Sequence, residues 1–148
     1  MRDALEAVAG EDDMVRKVLD IGSTGTFSKT ITESDIGTFA GITGDFNPIH
    51  IDTVAAGQSD FGQRVAHGML TGSLISAVIG NRMPGEGSVY LEQNLKFTAP
   101  VFIGDTCTAK VRVSEILNAD KGIYKLDTQV IRQDGTVVLK GYAVVKYL

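Results

Sequence analysis

The stretch Thr43-Gly44-Asp45-Phe46-Asn47-Pro48-Ile49-His50-Ile51-Asp52 brings a carboxylate, an amide, a rigid proline and an imidazole together. Pro48 ends any helix running into it and biases Asn47 toward an extended backbone, so the span from Asp45 to His50 is stiff. Such a loop can hold two side chains at opposite sides of one small molecule. An imidazole is suited to proton transfer near neutral pH, and a carboxylate can orient water and relay its second proton. The same residue types also make an ordinary capped, hydrogen-bonded turn, and composition alone favours that plainer role.

Other chemistry-bearing residues are weaker candidates. His67 reads as a structural histidine whose nitrogens bond nearby backbone. A metal site built from Asp45, His50 and His67 is conceivable, but their spacing matches no usual ligand motif, and no metal is expected. Asn47 reads first as a residue that holds the loop by hydrogen bonds, and second as a substrate contact. Cys107 lies in an alternating stretch, where a small buried hydrophobe is the default and a nucleophile is not expected. Tyr90, Phe97 and Tyr142 read as core or as the wall of a site.

The elements that must position these groups follow from periodicity. Residues 1–21 form an acidic, weakly amphipathic lead-in. Gly22 to Thr32 reads as a first strand. Thr32 can then cap a helix, with Asp35 three positions on near the positive end of its dipole, and Ile36, Phe39, Ala40 and Ile42 give a buried stripe ending near Gly44. After an irregular segment, Gly68 to Gly80 reads as a second helix. It carries Met69, Leu70, Leu74, Ile75, Val78 and Ile79 on more than one side, which predicts burial on more than one side. From Ser88 the period changes to two. Strands are expected around 89–97 and 107–113, then over Gly122–Arg132 and Thr136–Tyr147, joined through Asp134-Gly135, a hairpin signal. An antiparallel sheet wrapped around one buried helix satisfies this order, an α+β domain over residues 22–148 with its last four strands in antiparallel succession.

The chain's 148 residues fit one domain, and its net charge of −4, dispersed along the sequence, argues against nucleic acid as a partner. Any anionic partner would have to meet a local basic patch, of which Arg64, Arg82 and Lys96 are possible members. A single cysteine gives no sign of an oxidising compartment. Acidic residues interrupt every apolar run near the N-terminus, and Lys146-Tyr147-Leu148 departs from a peroxisomal address. No stretch reaches a membrane span. A cytoplasmic protein with no membrane partner is expected.

Four ordered blocks carry a more specific signal. Gly44-Asp45-Phe46-Asn47-Pro48-Ile49-His50-Ile51-Asp52 resembles the signature of MaoC-like, (R)-specific enoyl-CoA hydratases. Phe61-Gly62-Gln63-Arg64-Val65-Ala66-His67-Gly68-Met69-Leu70 resembles that family's approach to its central helix. Pro84-Gly85-Glu86-Gly87-Ser88-Val89-Tyr90-Leu91 and Pro100-Val101-Phe102-Ile103-Gly104-Asp105 match its later strand and turn.

The resemblance implies a hot-dog fold, an antiparallel sheet around a long central helix, with two subunits joining their sheets and a tunnel for an acyl-CoA substrate. It puts the family's catalytic pair on Asp45 and His50, its oxyanion donor on the backbone N–H of Gly68 and a helper serine on Ser76. Asn47, Ser76 and Ile79 are carried as substrate-binding candidates. No metal or other cofactor is implied, and a homodimer is. Residue chemistry fits: hydration of an unsaturated thioester needs a base, an acid and a donor to the enolate-like oxygen. Gly68 would open the buried helix, where free N–H groups meet that oxygen, and its missing side chain would let the thioester come close. The main alternative is a dehydratase acting on acyl-carrier-protein thioesters or on branched or dicarboxylic CoA esters. A hot-dog thioesterase and a non-catalytic thioester-binding subunit are weaker, because neither needs this acid-base loop.

Overall fold

The computed structural model describes residues 18–147. Most of the acidic lead-in, and Leu148, lie outside them. The chain runs β1 (Thr24–Thr30), α1 (Glu33–Thr43), α2 (Pro48–Ile51), α3 (Thr53–Gly57), α4 (Gly68–Asn81), β2 (Ser88–Phe97), β3 (Thr106–Asn118), β4 (Ile123–Arg132) and β5 (Val137–Tyr147). The five strands form one antiparallel sheet in the order β1-β3-β4-β5-β2, with α4 touching β1, β2, β3 and β4.

Local chemistry sets the boundaries. Thr32 caps α1 through a full capping box: its hydroxyl accepts from the Asp35 N–H at 3.1 Å, and its own N–H donates to Asp35 Oδ2 at 2.9 Å. At the other end Gly44 adopts φ 80°, a left-handed cap that a glycine takes without steric cost, and its N–H donates to the Ala40 carbonyl at 2.8 Å. The core lies between α4 and the sheet. Leu74, Ile75, Val78 and Ile79 meet Val111, Val113, Leu126, Val130, Leu139 and Val145, all at or below 5% exposure.

Three expectations need correction. The four later strands are antiparallel but not successive neighbours, since β2 crosses to the far edge and pairs with β5, leaving β3-β4-β5 as the meander. Alternation reveals a strand, not its neighbour. The irregular segment contains α2 and α3, and Pro48 opens α2 rather than only stopping a helix, because a missing N–H costs nothing at the first helical position. Finally, α4 is buried against the sheet alone; Met69, Ser73, Ser76 and Gly80 are exposed. The sheet covers one side of the helix, and this second face stays open in the single chain.

Candidate active site

The site is built where α1, the loop after it and the start of α4 converge. Beyond Gly44, the Thr43 hydroxyl donates to the Phe39 carbonyl at 2.7 Å and accepts the Asp45 N–H at 3.2 Å, fixing the first turn of the loop. Asp45 Oδ1 then accepts the Asn47 N–H at 3.2 Å, and Asn47 Oδ1 caps α2 by accepting from Ile49 N–H at 3.2 Å. Each polar side chain thus holds the backbone two residues on, the turn chemistry expected of these residue types. The plainer structural role is thus filled in this loop.

His50 emerges from α2 half-buried, with Nδ1 at 2.7 Å from the Val65 carbonyl oxygen. A clasp holds this strand of the loop against the next: Val65 N–H donates to the Ile49 carbonyl at 3.2 Å, and Arg64 Nε donates to the His50 carbonyl at 2.7 Å. The Arg64 guanidinium also pairs with Glu33 at 2.6 Å, tying the clasp to the start of α1.

His67 is drawn further into the site than its sequence context implied. It is 1% exposed. Its ring stacks on that of His50, with centroids 3.9 Å apart and planes 28° apart. Its Nε2 lies 2.9 Å from the Asp45 carbonyl oxygen. One nitrogen therefore bonds backbone as expected; the other, Nδ1, is buried and has no partner among the described residues.

One carboxylate oxygen of Asp45 and one ring nitrogen each of His50 and His67 lie within 4.8 Å of one another. A zinc ion would need lone pairs converging on one point about 2.0–2.2 Å from each donor. Two imidazoles stacked nearly face to face direct their in-plane lone pairs along nearly parallel planes. This arrangement suits a hydrogen-bonded water better than a metal.

Beside the cluster opens a cavity of about 570 Å³ whose wall includes Asp45, His67, Gly68, Thr71, Phe97 and Val101. That volume lies in the range of small-molecule sites, and the further lining by Phe61, Val65, Met69 and Val138 makes it mainly apolar. His50 is not itself in this wall; it stands against it through the His67 ring. Gly68 is the first residue of α4, so its amide is one of those for which the helix supplies no carbonyl. Glycine at this position also has a packing reason. A Cβ there would lie 2.8 Å from Phe97 Cε1, so the bare Cα admits the Phe97 ring.

The other sequence candidates lie outside the cavity wall. Asn47 is exposed and caps α2. Ser76 lies on the open face of α4, and Ile79 is a core residue at 2% exposure; neither lines the cavity. Arg64 is already committed to Glu33 and the His50 carbonyl. Arg82 caps the opposite end of α4, 5.6 Å over the Phe27 ring, so it shares no patch with Arg64. Thr71, a cavity wall residue at 4% exposure, was not singled out by sequence. Its i, i+3 spacing from Gly68 was the available signal, since it places both on one helical face. The Val65 carbonyl could not be found that way, because every residue has one.

Comparison with known proteins agrees with the geometry. A family model described as MaoC like domain matches residues 21–134. The chain is 41% identical over 133 residues to the (R)-specific enoyl-CoA hydratase of Aeromonas caviae, covering 90% of this chain and 98% of that protein. It is 45% identical over 128 residues to the 3-hydroxybutyryl-CoA dehydratase of Methylorubrum extorquens, covering 86% and 80%. The solved structure of an (R)-hydratase from A. caviae involved in PHA biosynthesis superposes with a TM-score of 0.85 at 40% identity, over 89% of this chain and 99% of that one. The sheet packed on one long helix is thus the hot-dog fold, and the chain belongs to the MaoC-like domain family.

Proposed function

We propose that the protein is an (R)-specific enoyl-CoA hydratase, adding water reversibly to trans-2-enoyl-CoA to give (R)-3-hydroxyacyl-CoA without metal or other cofactor. One observation carries this reading. A carboxylate and an imidazole come within 4.8 Å beside an apolar cavity that also meets the N-terminus of α4. Two hydrogen bonds of about 2.8 Å can span that distance through a single water.

In the proposed reaction Asp45 accepts a hydrogen bond from one O–H of the water and orients it. Nε2 of neutral His50 takes the other proton as the oxygen attacks C3. The imidazolium returns that proton to C2, so one water is added and the pair is regenerated. The thioester oxygen, which gains negative charge as C3 is attacked, is met by the Gly68 N–H at the positive end of α4. Asn47 holds the loop. Catalysis accelerates both directions, so the same residues serve dehydration, the reaction for which the M. extorquens relative is named.

The reading includes a homodimer. Edge strand β2 exposes Val89 and Leu91, and Met69 is exposed on the open face of α4; a second copy would cover both surfaces. Ser76, on that face, is kept as a substrate contact in a tunnel the second copy completes. Residues 22–148 form the domain, with 1–21 as lead-in. A cytoplasmic setting accords with one unpaired, buried cysteine, and a part in fatty-acid metabolism and polyhydroxyalkanoate precursor supply follows from the product. The test is loss of enoyl absorbance when purified protein meets crotonyl-CoA, longer 2-enoyl-CoAs and an enoyl-acyl-carrier-protein, with chiral analysis of the product. No hydration of any of these thioesters defeats the reading; an (S) product corrects its stereochemistry.

A further inference from the structure

We propose that His67 is a positioning residue for the reacting pair, one buried imidazole that tethers Asp45 through its backbone carbonyl and braces His50 through its ring face. The inference rests on the reaction proposed for Asp45 and His50.

The helix does not explain a histidine here. His67 occupies the N-cap of α4 but makes no side-chain cap hydrogen bond, and a small hydroxyl or carboxylate residue would cap better. Packing alone does not explain it either. Phe39 lies on the ring at 4.8 Å and 54°, and His50 stacks on it at 3.9 Å, so a phenylalanine would fill the same space. It would also avoid burying Nδ1 without a partner, which an apolar ring does not incur. What phenylalanine lacks is a donor.

The Asp45 carbonyl can only accept, so the 2.9 Å contact places the proton of neutral His67 on Nε2. This bond pins the backbone of Asp45 from the α4 side; on the loop side Thr43 Oγ1 accepts its backbone N–H and Asn47 N–H donates to its carboxylate. The stacked face opposes tilting of the His50 ring about its bond to the Val65 carbonyl. With both contacts on one ring, any shift of His67 displaces both halves of the pair together. The ring sits between α1 and the cavity, held by Phe39 on one element and by its place at the head of α4 on another.

Two substitutions separate the contacts. His67→Phe keeps a stacking ring and removes the donor; His67→Gln keeps an N–H donor and removes the ring. For variants whose melting curves overlay wild type, kcat with crotonyl-CoA should fall about tenfold to a hundredfold in each, with KM within about threefold. Wild-type kcat in both variants overturns the proposal, as does a loss confined to KM. If either fails to fold, wild-type protein labelled with ¹⁵N-histidine decides: long-range ¹H–¹⁵N spectra should show Nε2–H for His67 and Nδ1–H for His50. A His67 protonated at Nδ1 alone could not hold Asp45 and overturns the tether. If wild type fails to hydrate any enoyl thioester, the functional reading falls, and the tautomers still decide whether the tether exists.

Discussion

His50 directs Nδ1 at the carbonyl oxygen of Val65, 2.7 Å away. A carbonyl cannot donate, so in the neutral ring Nδ1 carries the proton and Nε2 keeps its lone pair. A backbone atom fifteen residues along the chain thereby selects which nitrogen can act as a base, and the clasp formed by Ile49, Arg64 and Val65 holds that atom in place.

The clasp can be loosened without touching either proposed reacting group. Arg64 is mostly buried and bonds the His50 carbonyl, whereas the Glu33 side chain is 73% exposed, where ion pairs contribute little. Arg64→Ala should lower kcat by about tenfold and Glu33→Gln by less than about twofold. Steady-state kinetics of the two variants check this; equal losses would show that the ion pair, not the bond to His50, matters.

Gly68 and Phe97 should behave as a coupled pair. Alanine at position 68 would put a methyl carbon 2.8 Å from the Phe97 ring; because that ring is half exposed and can give way, the cost should fall at or below the low end of the roughly 1–3 kcal/mol of core overpacking. Gly68→Ala should therefore melt lower than wild type, and adding Phe97→Leu should recover most of the loss. A double mutant as unstable as the sum of its singles would place the strain elsewhere.

The capping box of α1 offers a test with a defined pH dependence. Partial burial would raise the Asp35 pKa, but the Thr32 N–H and Lys29 at 3.0 Å outweigh it and hold the carboxyl below its ordinary value of 3.8. A lowered folded pKa means that the stabilisation is present above the unfolded value and is lost as pH falls through the folded one. Thr32→Ala should cost about 1 kcal/mol at neutral pH. Asp35→Asn should also destabilise at pH 7, by a margin that narrows progressively below about pH 4. Urea melts at several pH values measure both; a margin that widens toward acid would refute the assignment.

These elements differ in how openly the sequence declares them. Thr32 and Asp35, the left-handed Gly44 and the turn at Asp134-Gly135 act through their own neighbours, so the ends of α1 and the β4-β5 hairpin were legible. The partner of β2 was not, because period-two alternation assigns a face and carries no information on which edge is met. Asp45 and His50 were legible as a pair because only four residues, one of them a proline, separate them. The role of His67 was hidden, since its contacts to Asp45 and His50 exist only once α4 is docked. Ile79 shows the converse: its helical position is right, but the sheet takes it into the core.

Cys107 is fully buried, and burial pushes its thiol up from 9.0 to about 11. With the folded pKa raised, the unfolded chain loses its proton first as pH climbs, so stability is intact below about pH 9 and declines toward pH 11. Cys107→Ala should flatten that decline in denaturant titrations. In the native protein at pH 8 the thiol should be inert to an aromatic disulfide reagent and react on unfolding, because the thiolate is the nucleophile. Rapid labelling of folded protein would contradict the burial.

The most demanding prediction concerns Asp45 and His50, because two halves of one water-handling device should give losses that do not add. Asp45→Asn keeps the shape and removes the carboxylate; His50→Gln keeps a polar group and removes the imidazole. General acid-base groups contribute about a hundredfold to ten-thousandfold, so kcat should fall at least that far in each. KM should move little if the pair acts mainly in the transition state, and the double mutant should be scarcely worse than either single. Asp45 is exposed and His50 only half-buried, so melting curves should stay close to wild type. The His50 change also removes the Nδ1 bond to Val65, and any small stability loss should therefore appear in His50→Gln and not in Asp45→Asn. Near-normal kcat in either single mutant, or fully additive losses in the double, would mean that the water is handled by other groups in the cavity wall.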